Sequence, residues 1–140
     1  MKVLGVCIDS KLNFNEHISL MCAKAGKQLN VLQRLKDSLD SKSRLAIYNS
    51  FIISNFNYCP VVWMFSSKSS LSKLEDIQRR ALRFVLNDYI SSYQALLKKA
   101  DVPGIKIMLL RYLAVEVYKC VNNMNPDYLN PLFVEKKMSI

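Results

Sequence analysis

The apolar residues Ile18, Cys22, Ala25, Leu29 and Leu32 recur at alternating intervals of four and three. That spacing lines one face of a helix, and a helix with one apolar face has to bury it against another element. Leu71, Leu74, Ile77, Ala81 and Val85 repeat the pattern, and Leu109, Leu113, Val117 and Val121 follow at intervals of four. Three such stripes satisfy one another by packing together, so helix on helix is the expected architecture. The chain has 140 residues, one domain's worth and enough for a real core. With 51% hydrophobic residues, three glycines and four prolines, it is neither disordered nor fibrous.

Local signals divide the chain further. Asn13 followed by Glu16 has the form of a capping box, which starts a first helix at residue 13. Asp40 or Ser41 starts a second, running through Leu45, Tyr48, Phe51, Ile52 and Phe56 and apolar on more than one side. It has to break at Pro60, which lacks an amide proton and disfavours helix at Cys59. Ser66, Ser67, Ser69 and Ser70 cap a third helix, "SSYQALLKKA" reads as a short fourth, "DVPG" as a break, and 105–123 as a fifth. The two Asn-Pro steps of "NMNPDYLNPLF" begin an irregular tail. Ahead of these lies one short β-rich run, Val3, Leu4, Val6, Cys7 and Ile8 around Gly5. The expected fold is therefore mainly α, a single domain of about five helices with one orphan N-terminal strand that lacks a ladder partner.

Several chemistries are not expected of these residues. Two-metal phosphoryl transfer needs clustered carboxylates, whereas the one adjacent acidic pair, Glu75 and Asp76, lies one turn before Arg79 and Arg80, where it reads as surface ion pairs. The single His17 and the separated cysteines 7, 22, 59 and 120 offer neither a zinc set nor a nucleophile with a placed base. Gly5, Gly26 and Gly104 are isolated, so no phosphate loop is present. His17 reads as a structural residue at a helix start, the cysteines as buried reduced thiols of an intracellular protein, nuclear or cytoplasmic. No run of eighteen apolar residues suggests a membrane span. The opening run is too short for a signal h-region and reads as mature sequence.

Charge is the positive signal. Of a net +9, residues 1–100 carry 15 Lys and Arg against 7 Asp and Glu, a balance of +8, while residues 101–140 carry 5 against 4, a balance of +1. Lys24, Lys27 and Arg34 fall on a flank of the first helix away from its apolar stripe, and Arg79, Arg80 and Arg83 project from the third. Two such faces suit a polyanion, with phosphates as the contacts. The other reading of the same residues is a small helical protein-interaction domain with no nucleic-acid role.

The motifs "LGVCIDSKLNFNEHI", "CAKAGKQLNVLQRL", "RLAIYNSFIISNFNYCPVVW", "LEDIQRRALRFVLND" and "LLRYLAVEVYKCVNNMNPDYL" occur in that order. Together they resemble the segment after the palm in reverse transcriptases of jockey-like non-long-terminal-repeat retrotransposons. The resemblance implies a remnant palm-edge strand over 1–12, a helical thumb-like domain over 13–124 and the irregular tail over 125–140. Leu4 and Gly5 match the LG of that family's primer grip. The implied partners are an RNA:DNA hybrid, or RNA template with DNA primer, bound with low sequence specificity, and the palm and fingers of the parent polymerase. The family's aromatic-X-Asp-Asp signature has no counterpart, because no two aspartates are consecutive. The resemblance thus implies a fragment without catalytic residues, metal ligands or cofactor of its own, the Mg²⁺ of the full-length enzyme belonging to the absent palm.

Overall fold

The computed structural model describes residues 1–128. Strands β1 (Lys2–Val3) and β2 (Val6–Cys7) precede helices α1 (Asn15–Gln33), α2 (41–56), α3 (Pro60–Trp63), α4 (Lys68–Leu86), α5 (Tyr93–Ala100) and α6 (Ile105–Val121). The fold is mainly α, as expected, and the five anticipated helices are joined by α3, a single turn begun by Pro60. Residues 129–140, most of the anticipated tail, lie outside the described residues.

The N-terminal run is not an orphan strand. It folds back on itself as an antiparallel hairpin, with Lys2 opposite Cys7 and Val3 opposite Val6. Leu4 (φ 46°) and Gly5 (φ 89°) both adopt positive φ, the pattern of a two-residue turn matched to strand twist. Gly5 suits the second of these positions because it has no Cβ to clash at that φ. The ladder continues outward, with Ile8 N–H donating to the Met1 carbonyl at 2.8 Å and the Met1 ammonium to the Ile8 carbonyl at 3.0 Å. Val6 is buried in the helical core, so β2 packs on the domain, while β1 and the tip stay exposed.

The first helix also starts differently. Phe14, in the left-handed region at φ 53°, occupies the cap position and Asn13 caps nothing. The Asp9 carboxylate instead accepts the backbone N–H groups of Lys11 at 2.9 Å, Asn13 at 3.0 Å and Phe14 at 2.8 Å, ordering the turn that leads into α1. These bonds, that from Asn13 foremost, hold the carboxyl below the usual aspartate range.

Helix α2 consists of an α segment (Ser41–Ile47), a π segment (Tyr48–Ile53) and a last α turn (Ser54–Phe56). Asp40 caps it, accepting the Ser43 N–H at 3.0 Å. Along the π segment Ser50 Oγ donates to the Ala46 carbonyl and Asn55 Nδ2 to that of Phe51. The wider turn brings Tyr48, Ile52, Ile53 and Phe56 inward together while Phe51 stays exposed. Cys59 (φ 47°) then turns the chain, Pro60 takes the first position of α3, and Trp63 is fully buried.

Helix α4 is the mast of the domain. Leu74, Ile77, Ala81 and Val85 are buried as the periodicity anticipates, and Ser67 caps its start. Gln78, also fully buried, donates to Tyr48 Oη at 2.8 Å and to the Pro103 carbonyl at 2.9 Å, and accepts from Tyr93 Oη at 2.5 Å. One side chain thereby ties α2, α4, α5 and the turn before α6. On α6, Ile105, Met108 and Leu109 are buried, but Val117 and Val121 of the anticipated stripe are exposed, Val121 by 73%. Only the first two turns of that helix meet the core.

Candidate nucleic-acid interface

Helices α1 and α4 lie side by side, joined by rungs that ascend both helices in the same direction. Ser70 Oγ donates to Asn15 Oδ1 at 2.7 Å, Lys73 Nζ to Ser19 Oγ at 3.4 Å and Arg80 Nη2 to Asn30 Oδ1 at 3.3 Å. The helices are therefore parallel, with their N-termini at the same end. Between these rungs a Cβ built on Gly26 would sit 3.7 Å from Ile77 Cδ1, an ordinary van der Waals contact.

This seam sorts the basic residues. Lys27 lies one turn before Asn30 and Arg34 one turn after it, while Arg83 follows Arg80 by one turn, so these four flank the same rung. Lys27, Arg34 and Arg80 are exposed and Arg83 is half-buried. The two carboxylates of α4 are engaged elsewhere: Asp76 pairs with Arg79 at 2.7 Å, and Glu75 reaches across to Lys106 of α6 at 3.6 Å. The expected pairing of Glu75 and Asp76 with Arg79 and Arg80 thus holds for one pair, because Glu75 lies on the side of α4 that faces α6. Arg80 keeps its charge toward the seam. Lys24 does not join it: the residue lines a cleft beneath the hairpin instead.

The C-terminal end of the seam carries two residues that periodicity does not single out. The Lys36 ammonium sits 5.0 Å from the centre of the Tyr89 ring, and both residues lie just beyond the ends of their helices. Leu4 and Gly5 occupy the hairpin tip, with Leu4 85% exposed, and the Tyr58 hydroxyl donates to the Leu4 carbonyl. All four cysteines are unpaired, and contrary to the expectation of burial Cys7, Cys22 and Cys120 are only half-buried and Cys59 is exposed; partial burial pushes the Cys22 thiol up to about 11. Among the described residues no group of three metal-ligating side chains gathers, and no helix is long and apolar enough to cross a membrane.

No family model matches the chain, and no solved structure does. Curated relatives come from transposons. One is the probable RNA-directed DNA polymerase from transposon BS of Drosophila melanogaster, 25% identical over 87 residues. Another is the probable RNA-directed DNA polymerase from transposon X-element of the same organism, 26% identical over 88 residues. Each match covers 60% of this chain, and the chain spans about 10% of the length of either relative. The chain is thus similar over part of its length to these two transposon polymerases. A likeness to RNA-directed DNA polymerases of transposons is what the order of its motifs anticipates.

Proposed function

We propose that this chain is a non-catalytic, thumb-like segment of a retrotransposon reverse transcriptase that holds template and primer through phosphates along the α1–α4 seam. The observation that carries this reading is the Arg80 to Asn30 rung, which sets Lys27, Arg34, Arg80 and Arg83 from two helices around one point. An RNA:DNA hybrid presents phosphates to such a row without requiring base readout, so sequence preference is weak. On the same reading the LG at the hairpin tip contacts the primer, and Mg²⁺ and the catalytic aspartates belong to the palm of the parent polymerase. Titration of a fluorescent RNA:DNA hybrid by anisotropy at several salt concentrations tests it. Neutralising about four phosphates gives a slope of log K against log salt of roughly −3 to −4. A slope near zero, or no binding at physiological salt, rejects it.

The exposed apolar residues of α6, among them Leu110, Val117 and Val121, favour the second reading, a helical protein-interaction domain. Under that reading the hybrid does not bind and the seam arginines are dispensable.

A further inference from the structure

Beneath the hairpin a cleft of about 460 Å³ opens between β1, β2, α1 and the end of α2. Lys2, His17 and Lys24 line it together with Ser54, Asn55 and Tyr58, and no aspartate or glutamate does. Three of these residues direct their donors into the protein: Ser54 Oγ to the Ser50 carbonyl, Asn55 Nδ2 to the Phe51 carbonyl and Gln28 Oε1, and the Tyr58 hydroxyl to the Leu4 carbonyl. The other three remain available. His17 is 5% exposed, and the Cys7 N–H donates to its Nδ1 at 3.4 Å. An imidazole that accepts at Nδ1 carries its proton on Nε2 when neutral. That Nε2 is buried and has no hydrogen-bond partner. Burial, and then the nearby Lys2 ammonium, hold the imidazole below the usual histidine range, as befits a polar recess short of negative charge.

We propose that this cleft binds a phosphate-class anion. The Lys2 and Lys24 ammonium groups pair with its oxygens, and the His17 Nε2–H, closed off from solvent in this conformation, would have to turn toward the cleft to donate to a third. Two full positive charges match a dianionic tetrahedral group better than a carboxylate, which carries a single negative charge. The volume exceeds that of the phosphoryl group and leaves room for ester carbons against Leu20 and Met21. The site stands apart from the α1–α4 seam and does not rest on the template-primer reading.

Because the sequence contains one histidine, a proton spectrum of the imidazole reports this cleft alone. Titrating the full chain with inorganic phosphate at constant ionic strength is expected to shift the His17 signals saturably. Lys24→Gln is expected to weaken binding about tenfold, the worth of one charge-assisted hydrogen bond, and Lys24→Arg to restore most of it. Lys24 is exposed, so either variant should fold. Arg80→Gln, on the seam, is expected to leave the titration unchanged. Stronger binding of a nucleoside monophosphate than of a short oligonucleotide assigns the site to a free phosphate ester, and the reverse order assigns it to a strand's phosphates. Absence of a saturable shift, an equal shift with chloride, or parent-like binding by Lys24→Gln overturns the proposal.

Discussion

The carboxamide of Gln78 donates to the hydroxyl of Tyr48 at 2.8 Å, joining two buried residues thirty positions apart. Burial pushes both Tyr48 and Tyr93 up to about 12, so both phenols stay neutral and able to hydrogen-bond at physiological pH. Gln78→Leu leaves two phenols and the Pro103 carbonyl without this partner. The expected cost is about 3 kcal/mol, read as a lower urea midpoint. For a domain of this size that corresponds to a fall of roughly 10 °C in Tm. A variant as stable as the parent would show that water replaces the carboxamide at no cost.

The hairpin carries stability. Deleting residues 1–10 removes the buried Val6 side chain, the Cys7 amide bonded to His17 and the Asp9 carboxylate that orders the start of α1. The expected loss is on the order of 3 kcal/mol, with reduced helical ellipticity at 37 °C. An unchanged thermal melt would instead make the hairpin an appendage, as an orphan strand would be.

Acid should destabilise the junction of α4 and α5. Asp88 accepts from Lys99, Ser91 Oγ and the amides of Ile90 and Ser91, and the Lys99 bond is the main reason its carboxyl lies well below the usual range. A carboxyl with a depressed folded-state pKa contributes stability that is fully present above its unfolded value, about 3.9, and is lost as pH falls through the folded value. Urea midpoints should therefore drop below about pH 4. Asp88→Asn should show a shallower acid limb, and a limb identical to the parent's would remove Asp88 from the account.

Glutamine at Lys27, Arg80 and Arg83 together should weaken binding to RNA:DNA hybrids of different sequence by similar factors. The salt slope should flatten by about one for each phosphate that no longer meets a cation. Weakening confined to one hybrid sequence would point to base readout and against the seam.

Primer extension should not occur. With no consecutive aspartates in its sequence, the purified chain supplied with primed RNA, Mg²⁺ and all four deoxynucleotides is expected to add none. Template-dependent extension that persists through repurification would contradict the non-catalytic reading.

Periodicity, with local caps and breakers, determined the helices. The stripes through Ile18 and Leu29, and through Leu74 and Ala81, are buried where the spacing put them, and Pro60 breaks the chain where proline must. Such patterns encode which side of an element is apolar, because they arise within a few residues of one another. They do not encode what covers that side. Val117 and Val121 have the right spacing and remain exposed, since the core of the described residues does not cover that side of α6. Asn13 has the right chemistry for a cap, yet the Asp9 carboxylate, several residues earlier, takes the free amides. The basic faces were legible as two separate sets. Joining Arg80 to Asn30, fifty residues away, depends on the parallel packing of α1 and α4, and drawing Lys24 into a cleft depends on the hairpin and the end of α2 meeting α1. Burial of complementary surfaces selects that packing, and no local pattern records it.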